Sequence, residues 1–171
     1  RMTTEELRSE FLVQNLFLPG ELVLVYSHID RVIVGGVMPT NAAIPLAADP
    51  KEIAADYFLE RREVGIVNLG SAGEIMTDGT SHRMEKIDAL YVGKGTQQVE
   101  FSSLDPANPA HFYLVSAPAH TTHPTVKMSN SDAEPLHLGS ISNSNERTIY
   151  KYIHPDGVQS CQLTMGVTLL E

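Results

Sequence analysis

Residues 56–70 read Asp56-Tyr57-Phe58-Leu59-Glu60-Arg61-Arg62-Glu63-Val64-Gly65-Ile66-Val67-Asn68-Leu69-Gly70. The part from Val64 to Leu69 is short and rich in β-branched and aliphatic residues, and it is closed by a charged run before it and a glycine after it. That pattern predicts a buried strand. Glu63 stands at its entrance, with Gly70 seven positions further on. A second stretch, Asp88-Ala89-Leu90-Tyr91-Val92-Gly93-Lys94-Gly95-Thr96-Gln97-Gln98, again runs from a strand into a glycine turn. Outward from these two, the same reading predicts strands at Glu21 to Tyr26, Arg31 to Val37, Glu74 to Thr77, Gln98 to Ser102, Phe112 to Ser116 and Cys161 to Leu170. Turn signals separate several of them, the strongest being Asp78-Gly79, a pair that readily takes the positive φ angles of a tight hairpin. Many short strands joined by such turns predict a sandwich or barrel, not a βαβ sheet. Thr3 or Thr4 with Glu6 opens a short helix whose apolar stripe is Leu7, Phe11 and Leu12 and which ends before Pro19-Gly20. Pro39 to Pro50 reads as an irregular loop, and Ala117 to Lys151 as a less regular tract. There is no obvious internal repeat and no phosphate-binding glycine loop.

Composition bounds the function. A chain of 171 residues is long enough for one sizeable core. Its net charge of −9, with only 12 Lys and Arg, argues against a nucleic-acid surface. The one basic cluster, Arg61-Arg62, pairs with Glu60 or Glu63 or faces an anionic ligand. No apolar run is long enough to cross a bilayer, and the first residues lack a secretory pattern, so a cytoplasmic location with no membrane partner is expected. The single cysteine, Cys161, excludes an intrachain disulfide and suits a reducing compartment. Its alternating neighbourhood, Ser160 to Met165, reads as a strand in which the thiol packs as a small hydrophobe. The segment Ala117-Pro118-Ala119-His120-Thr121-Thr122-His123-Pro124-Thr125 concentrates imidazoles and hydroxyls between prolines, which favours an extended or turning loop.

The two opening stretches together resemble the paired signatures of a cupin barrel. Metal-binding cupins place His-x-His shortly before a Glu, a glycine seven positions after that Glu, and a last histidine at the end of a Pro-x-Gly turn. Here Glu63 and Gly70 keep that relation, while Asp56, Tyr57, Phe58 and Leu59 stand where imidazoles would be, Gly93 replaces the proline and Gln98 the final histidine. The resemblance implies a mostly β, cupin-like (RmlC-like) antiparallel β barrel with a short N-terminal helix. It places Glu63 and Gln98 near one another on strands, with no metal held in this chain, since one carboxylate and a neutral amide fall short of a divalent-metal ligand set.

Longer stretches narrow the resemblance. Tyr26-Ser27-His28-Ile29-Asp30-Arg31 with Val34-Gly35-Gly36-Val37-Met38-Pro39, then Tyr57 to Glu63, Asp88 to Gly95, Ala117 to Thr122, Arg147-Thr148-Ile149-Tyr150-Lys151-Tyr152 and Cys161-Gln162-Leu163-Thr164-Met165-Gly166 closely resemble the 5-keto-4-deoxyuronate isomerase family. These are the 4-deoxy-L-threo-5-hexosulose-uronate ketol-isomerases of pectin breakdown. The match runs in order from about Leu7 to the last residue. It implies an enzyme of carbohydrate metabolism that interconverts 5-dehydro-4-deoxy-D-glucuronate and 3-deoxy-D-glycero-2,5-hexodiulosonate, a small-molecule uronate substrate. It further implies that residues 1–171 are the N-terminal cupin-like domain of a two-cupin enzyme, and that zinc or a similar divalent metal belongs to a C-terminal cupin half beyond Glu171. The isolated chain is then expected to be inactive.

Within the matching motifs, His28, Arg31, His120, Thr121, Thr122, Arg147 and Lys151 are the candidate substrate-binding residues, with no catalytic residue assigned. Arg31 or Arg147 can clamp a uronate carboxylate through two hydrogen bonds, or form an internal ion pair with Asp30 or Glu146. His28 or His120 can orient substrate hydroxyls, or sit as a satisfied imidazole. The alternative to an isomerase is a non-enzymatic cupin module that binds a sugar acid or assembles oligomers. A homo-oligomer is expected, through the apolar segment Phe11, Leu12, Leu16, Phe17 and Leu18, which docks on a neighbour or else packs on its own barrel.

Overall fold

The computed structural model describes residues 1–170. The chain opens with helix α1 (Thr4–Phe11), started by a reciprocal cap. The Glu6 N–H donates to the Thr3 hydroxyl at 3.2 Å and the Thr3 N–H donates to the Glu6 carboxylate at 2.6 Å. Strands β1 (Leu22–Tyr26), β2 (Ile33–Val37) and β3 (Ile44–Pro45) follow, then the one-turn helix α2 (Pro50–Ile53). Next come β4 (Arg62–Asn68), β5 (Gly73–Thr77), β6 (Thr80–Met84), β7 (Ala89–Val92), β8 (Val99–Ser103) and β9 (Phe112–Pro118). The chain closes with β10 (Val126–Met128), β11 (Leu136–Leu138), β12 (Arg147–Ile153) and β13 (Met165–Leu170).

These strands form three antiparallel sheets, ordered β1-β2-β9-β4-β7-β10, β3-β8-β5-β6 and β11-β12-β13. The first two face each other across one core, in which Val64, Ile66, Leu90 and Leu114 meet Ile75, Met84 and Phe101. Hydrogen bonding is not continuous between them, so the expected barrel is an open, two-sheet version of that architecture. The third sheet covers the opposite face of the first. There Val67, Tyr91 and Ala117 pack against Tyr152, Ile153 and Leu163. The six-stranded sheet is thus buried on both faces, which is why its central strands read as unbroken apolar runs.

Alternation along β4 fixes what each residue can reach. Val64 and Ile66 point into the first core, and Val67 joins the second. Glu63 shares the outer face with Gly65 and Val67, while Arg62 shares the inner face with Val64 and Ile66. Gly65 marks the closest approach of the third sheet: a methyl there would lie 2.7 Å from Met165 Sδ and 2.8 Å from Ile153 Cδ1. The Asp78-Gly79 turn is as expected, with φ of 44° and 83° joining β5 to β6.

Several expectations are corrected. The Cys161 end of the predicted last strand is a bend, and the strand starts at Met165. The tract Ala117 to Lys151 contains β10, β11 and most of β12. The apolar N-terminal segment is split: Phe11 is 77 % exposed, whereas Leu16 to Leu18 are half-buried and Phe17 lies 5.2 Å from the His111 ring.

Candidate functional site

Glu63 and Gln98 do not converge. Gln98 is exposed before β8, on the other sheet, and its N–H donates to Asp78 Oδ1 at 2.7 Å. Glu63 is fully buried on the outer face of β4. Its Oε1 accepts from the Gln162 N–H at 2.8 Å and the Leu163 N–H at 3.2 Å. Its Oε2 accepts from the Tyr91 hydroxyl at 2.7 Å and the Cys161 N–H at 2.8 Å. A carboxylate offers about four acceptor positions, and here protein donors fill them all. Glu63 therefore has nothing left for a metal: the cupin-like position serves instead to bind the bend 161–163 to the sheet.

That bend is joined by the loop after β9. The Ala119 N–H donates to the Arg61 carbonyl at 2.9 Å, and Cys161 Sγ donates to the Thr121 carbonyl at 3.3 Å. Beside this junction is a cavity of about 350 Å³ whose walls include His123, His154, Cys161, Gln162 and Thr164. The thiol is half-exposed at its edge, not packed as a small hydrophobe. The cavity offers two imidazoles, a thiol, an amide and a hydroxyl, a set suited to hydrogen bonding with a polyhydroxylated ligand. Among the described residues no group of three His, Cys, Asp or Glu is arranged to hold a metal ion. The resemblance places the zinc outside these residues, and the one cupin-like carboxylate, Glu63, has its acceptor positions filled by protein donors.

The candidate substrate residues fall in three places. His28 and Arg31 lie exposed in the β1–β2 turn, His28 edge-on to Tyr26 at 5.4 Å. His120, Thr121 and Thr122 are exposed in the loop after β9, against Cys161. Arg147 and Lys151 lie on β12, Arg147 hydrogen-bonded to Asn145 and not to Glu146, and Lys151 lining a larger cavity of about 700 Å³ with Lys127, Tyr152 and His154. Sequence reasoning missed His154 and Thr164. It also missed Glu63 as the anchor of the 161–163 bend. Of the basic pair, Arg61 meets Glu60 at 3.6 Å, while Arg62 turns inward, away from Glu63.

Two phenols brace this face. Burial, then the hydrogen bond and charge of Glu63, push the Tyr91 hydroxyl far above its ordinary value. Tyr152, bonded to the Ile87 carbonyl, is pushed up to about 12 by burial, then by Asp88 and Tyr150. A group whose folded pKa is raised contributes stability that is complete below its unfolded value, about 10 for tyrosine, and is lost as pH rises through the folded one. The urea midpoint should therefore fall between about pH 10 and 12. Tyr152→Phe should flatten that fall, and an unchanged profile would refute the assignment.

Two facing antiparallel sheets with a short N-terminal helix define a cupin-type β fold. Solved structures of the same fold include an IolB-like protein from Salmonella typhimurium LT2, with TM-score 0.54 and 13 % identity over 70 % of this chain and 43 % of that one. A putative glyoxylate-induced protein from Pseudomonas aeruginosa matches with TM-score 0.51 and 8 % identity over 78 % and 49 %. Residues 12–171 match the model of the KduI/IolB family, and the chain belongs to that family. It is 57 % identical over 170 residues to a 4-deoxy-L-threo-5-hexosulose-uronate ketol-isomerase of Caldicellulosiruptor bescii, covering 99 % of this chain and 61 % of that protein. A protein of the same name from Halalkalibacterium halodurans is 53 % identical, covering 100 % and 62 %. The chain thus spans about three-fifths of the length of these relatives, more than the half expected from sequence. Among the described residues no helix is long and apolar enough to cross a membrane.

Proposed function

We propose that this chain is the N-terminal, non-metal part of a ketol-isomerase acting on an open-chain 5-keto-4-deoxyuronate. The observation that carries the reading is 57 % identity along 99 % of the chain to a relative bearing that name. The uniform naming of the curated relatives favours it over a non-enzymatic module.

The reaction moves a carbonyl between adjacent carbons, so it needs a base beside the carbonyl and a group that stabilises the enediolate oxygens. The chain's own contribution is to bind and orient. Because the candidate contacts lie in three places, they are alternatives: Arg147 with Lys151 on β12, Arg31 with His28 in the β1–β2 turn, or His120, Thr121 and Thr122 after β9, where an arginine takes the uronate carboxylate and the other groups take hydroxyls or the keto oxygen. The Glu63 anchor keeps the 161–163 bend, and with it the Thr121 carbonyl, in register. The divalent metal implied by the resemblance is assigned to the part of the relatives' length that this chain does not span.

The test is an isomerase assay on two purified polypeptides. The 171-residue chain should show little or no turnover. One extended to the relatives' length should turn over 5-keto-4-deoxyuronate and lose that activity to a chelator. Substantial turnover by the shorter chain would overturn the division of labour. Self-association belongs to the same proposal. Because Phe11 is exposed while Phe17 packs internally, Phe11→Asp should lower the mass seen by light scattering without changing the unfolding midpoint. A monomeric wild-type chain would refute it.

A further inference from the structure

The chain has seven histidines, and four of their rings serve the fold. His82 bonds the Thr77 hydroxyl and His137 the Thr148 hydroxyl, while the rings of His28 and His111 lie against Tyr26 and Phe17. The rings of His120, His123 and His154 have no hydrogen-bond partner among the described residues. Of these, His154 combines a free ring with a fixed backbone. Its N–H donates to the Val158 carbonyl at 3.3 Å, and its carbonyl accepts from the Gly157 N–H at 3.0 Å. This turn closes the end of β12 just past the register shift between Lys151 and Ile153, and such irregularities re-aim the side chains beside them. Gly157 keeps the space before the imidazole open, since a methyl there would lie 2.4 Å from His154 Nε2.

The free imidazole faces open space on several sides. His154 lines three cavities, of about 700, 460 and 350 Å³, and Lys151 lines the first two with it. The cavity of about 460 Å³ lies over the third sheet on the face turned away from the first. Tyr150 and Val167 pack toward the first sheet, so their neighbours along β12 and β13 point outward. There Ile149 stands opposite Thr168 and Lys151 opposite Gly166, and all four line the cavity together with His154. An ammonium, a hydroxyl and an unpartnered imidazole thus share one wall, in a space of the size that takes a small metabolite.

We propose that His154 is the base that moves the proton in the isomerisation, and that Lys151 stabilises the enediolate oxygen. The assignment rests on the isomerase reading, and among the three places for substrate contacts it selects β12. His154 Nε2 takes the proton from the carbon that bears the hydroxyl, the C–H electron pair becomes the enediolate double bond, and the carbonyl π pair moves onto its oxygen. That oxygen meets the Lys151 ammonium. The imidazolium then gives its proton to the former carbonyl carbon, while the hydroxyl proton passes from one oxygen to the other. One imidazole serves both half-steps, and no co-reactant is consumed.

The 171-residue chain and a polypeptide of the relatives' length together test this. Followed by NMR, 5-keto-4-deoxyuronate should move the His154 imidazole signal saturably and leave that of His28 in place. In the longer polypeptide, isomerisation in D2O should put deuterium on the carbon that gains a hydrogen. There His154→Gln should lower kcat at least about a hundredfold and change KM less than about threefold, with the urea midpoint unchanged because the ring holds nothing in the fold. Gly157→Ala, which crowds Nε2 at a position without positive φ, should lower kcat in the same direction. With an active longer polypeptide, a His154 signal unmoved in both chains, a product free of deuterium, or full kcat in His154→Gln would overturn the His154 assignment and leave the isomerase reading standing. An inactive longer polypeptide would overturn that reading and the assignment with it.

Discussion

Glu63→Gln is expected to lower the unfolding free energy by about 3–5 kcal/mol, because a buried anionic acceptor is replaced by a group that cannot satisfy the same donors. Four donors converge on Glu63, two on each oxygen. The amide keeps one acceptor oxygen and turns two N–H donors toward groups that are themselves donors. Rotating the amide strands either the Gln162 and Leu163 N–H groups or the Cys161 N–H, the Tyr91 hydroxyl being able to turn and accept. Three of the donors are backbone groups of Cys161, Gln162 and Leu163, so the bend should detach while the first core remains. Urea unfolding gives the loss, and hydrogen exchange should show protection lost first at residues 161–163. Tyr91→Phe removes a single donor and should cost only about 1 kcal/mol. A Glu63→Gln variant within about 1 kcal/mol of the parent would show that water replaces the carboxylate, and the anchor reading would fail.

The contrast between Glu63 and its neighbours shows what the sequence made legible. The apolar run Val64 to Leu69 marked β4 because the strand is covered on both faces, and Asp78-Gly79 marked a hairpin because few pairs adopt two positive φ angles. What covers the outer face was not legible. β12 lies inside a tract broken by prolines and serines, and its pairing with β13 spans an intervening turn with an irregular register near Lys151. A signal was present nonetheless: Tyr26-Ser27-His28-Ile29-Asp30 ends β1 as Tyr152-Ile153-His154-Pro155-Asp156 ends β12, each leading into an antiparallel hairpin. Spacing in the cupin-like motif suggested that Glu63 faces Gln98. Strand parity decides otherwise, since Glu63 follows Gly65 and Val67 to the outer face. The inward turn of Arg62, whose guanidinium donates to Ser116 and to the Arg31 carbonyl, was hidden for the same reason. Adjacent to Glu63 in sequence, it points the opposite way, and an apparent ion pair becomes a carboxylate and a guanidinium on two sides of one sheet.

Gly93→Ala should cost about 3 kcal/mol, the upper part of the range for overpacking a filled site, and should displace the loop that carries His120 to His123. A methyl at this position would lie 1.9 Å from the His123 carbonyl oxygen. That oxygen belongs to the backbone and cannot swing aside as a side chain would, so the loop must move as a unit. The movement should break the Cys161 Sγ–Thr121 contact and open the cavity that His123 and Cys161 share. NMR signals of His120 and His123 and thiol reactivity at Cys161 report it directly. Gly95→Ala supplies the control. A methyl there meets nothing, but the residue holds φ of 99°, so its cost is about 1–2 kcal/mol of backbone strain, with the His123 signal unmoved. If Gly93→Ala matched Gly95→Ala in both stability and His123 signal, the loop would not be seated on Gly93, and the candidate site would lose the contact that sets its wall.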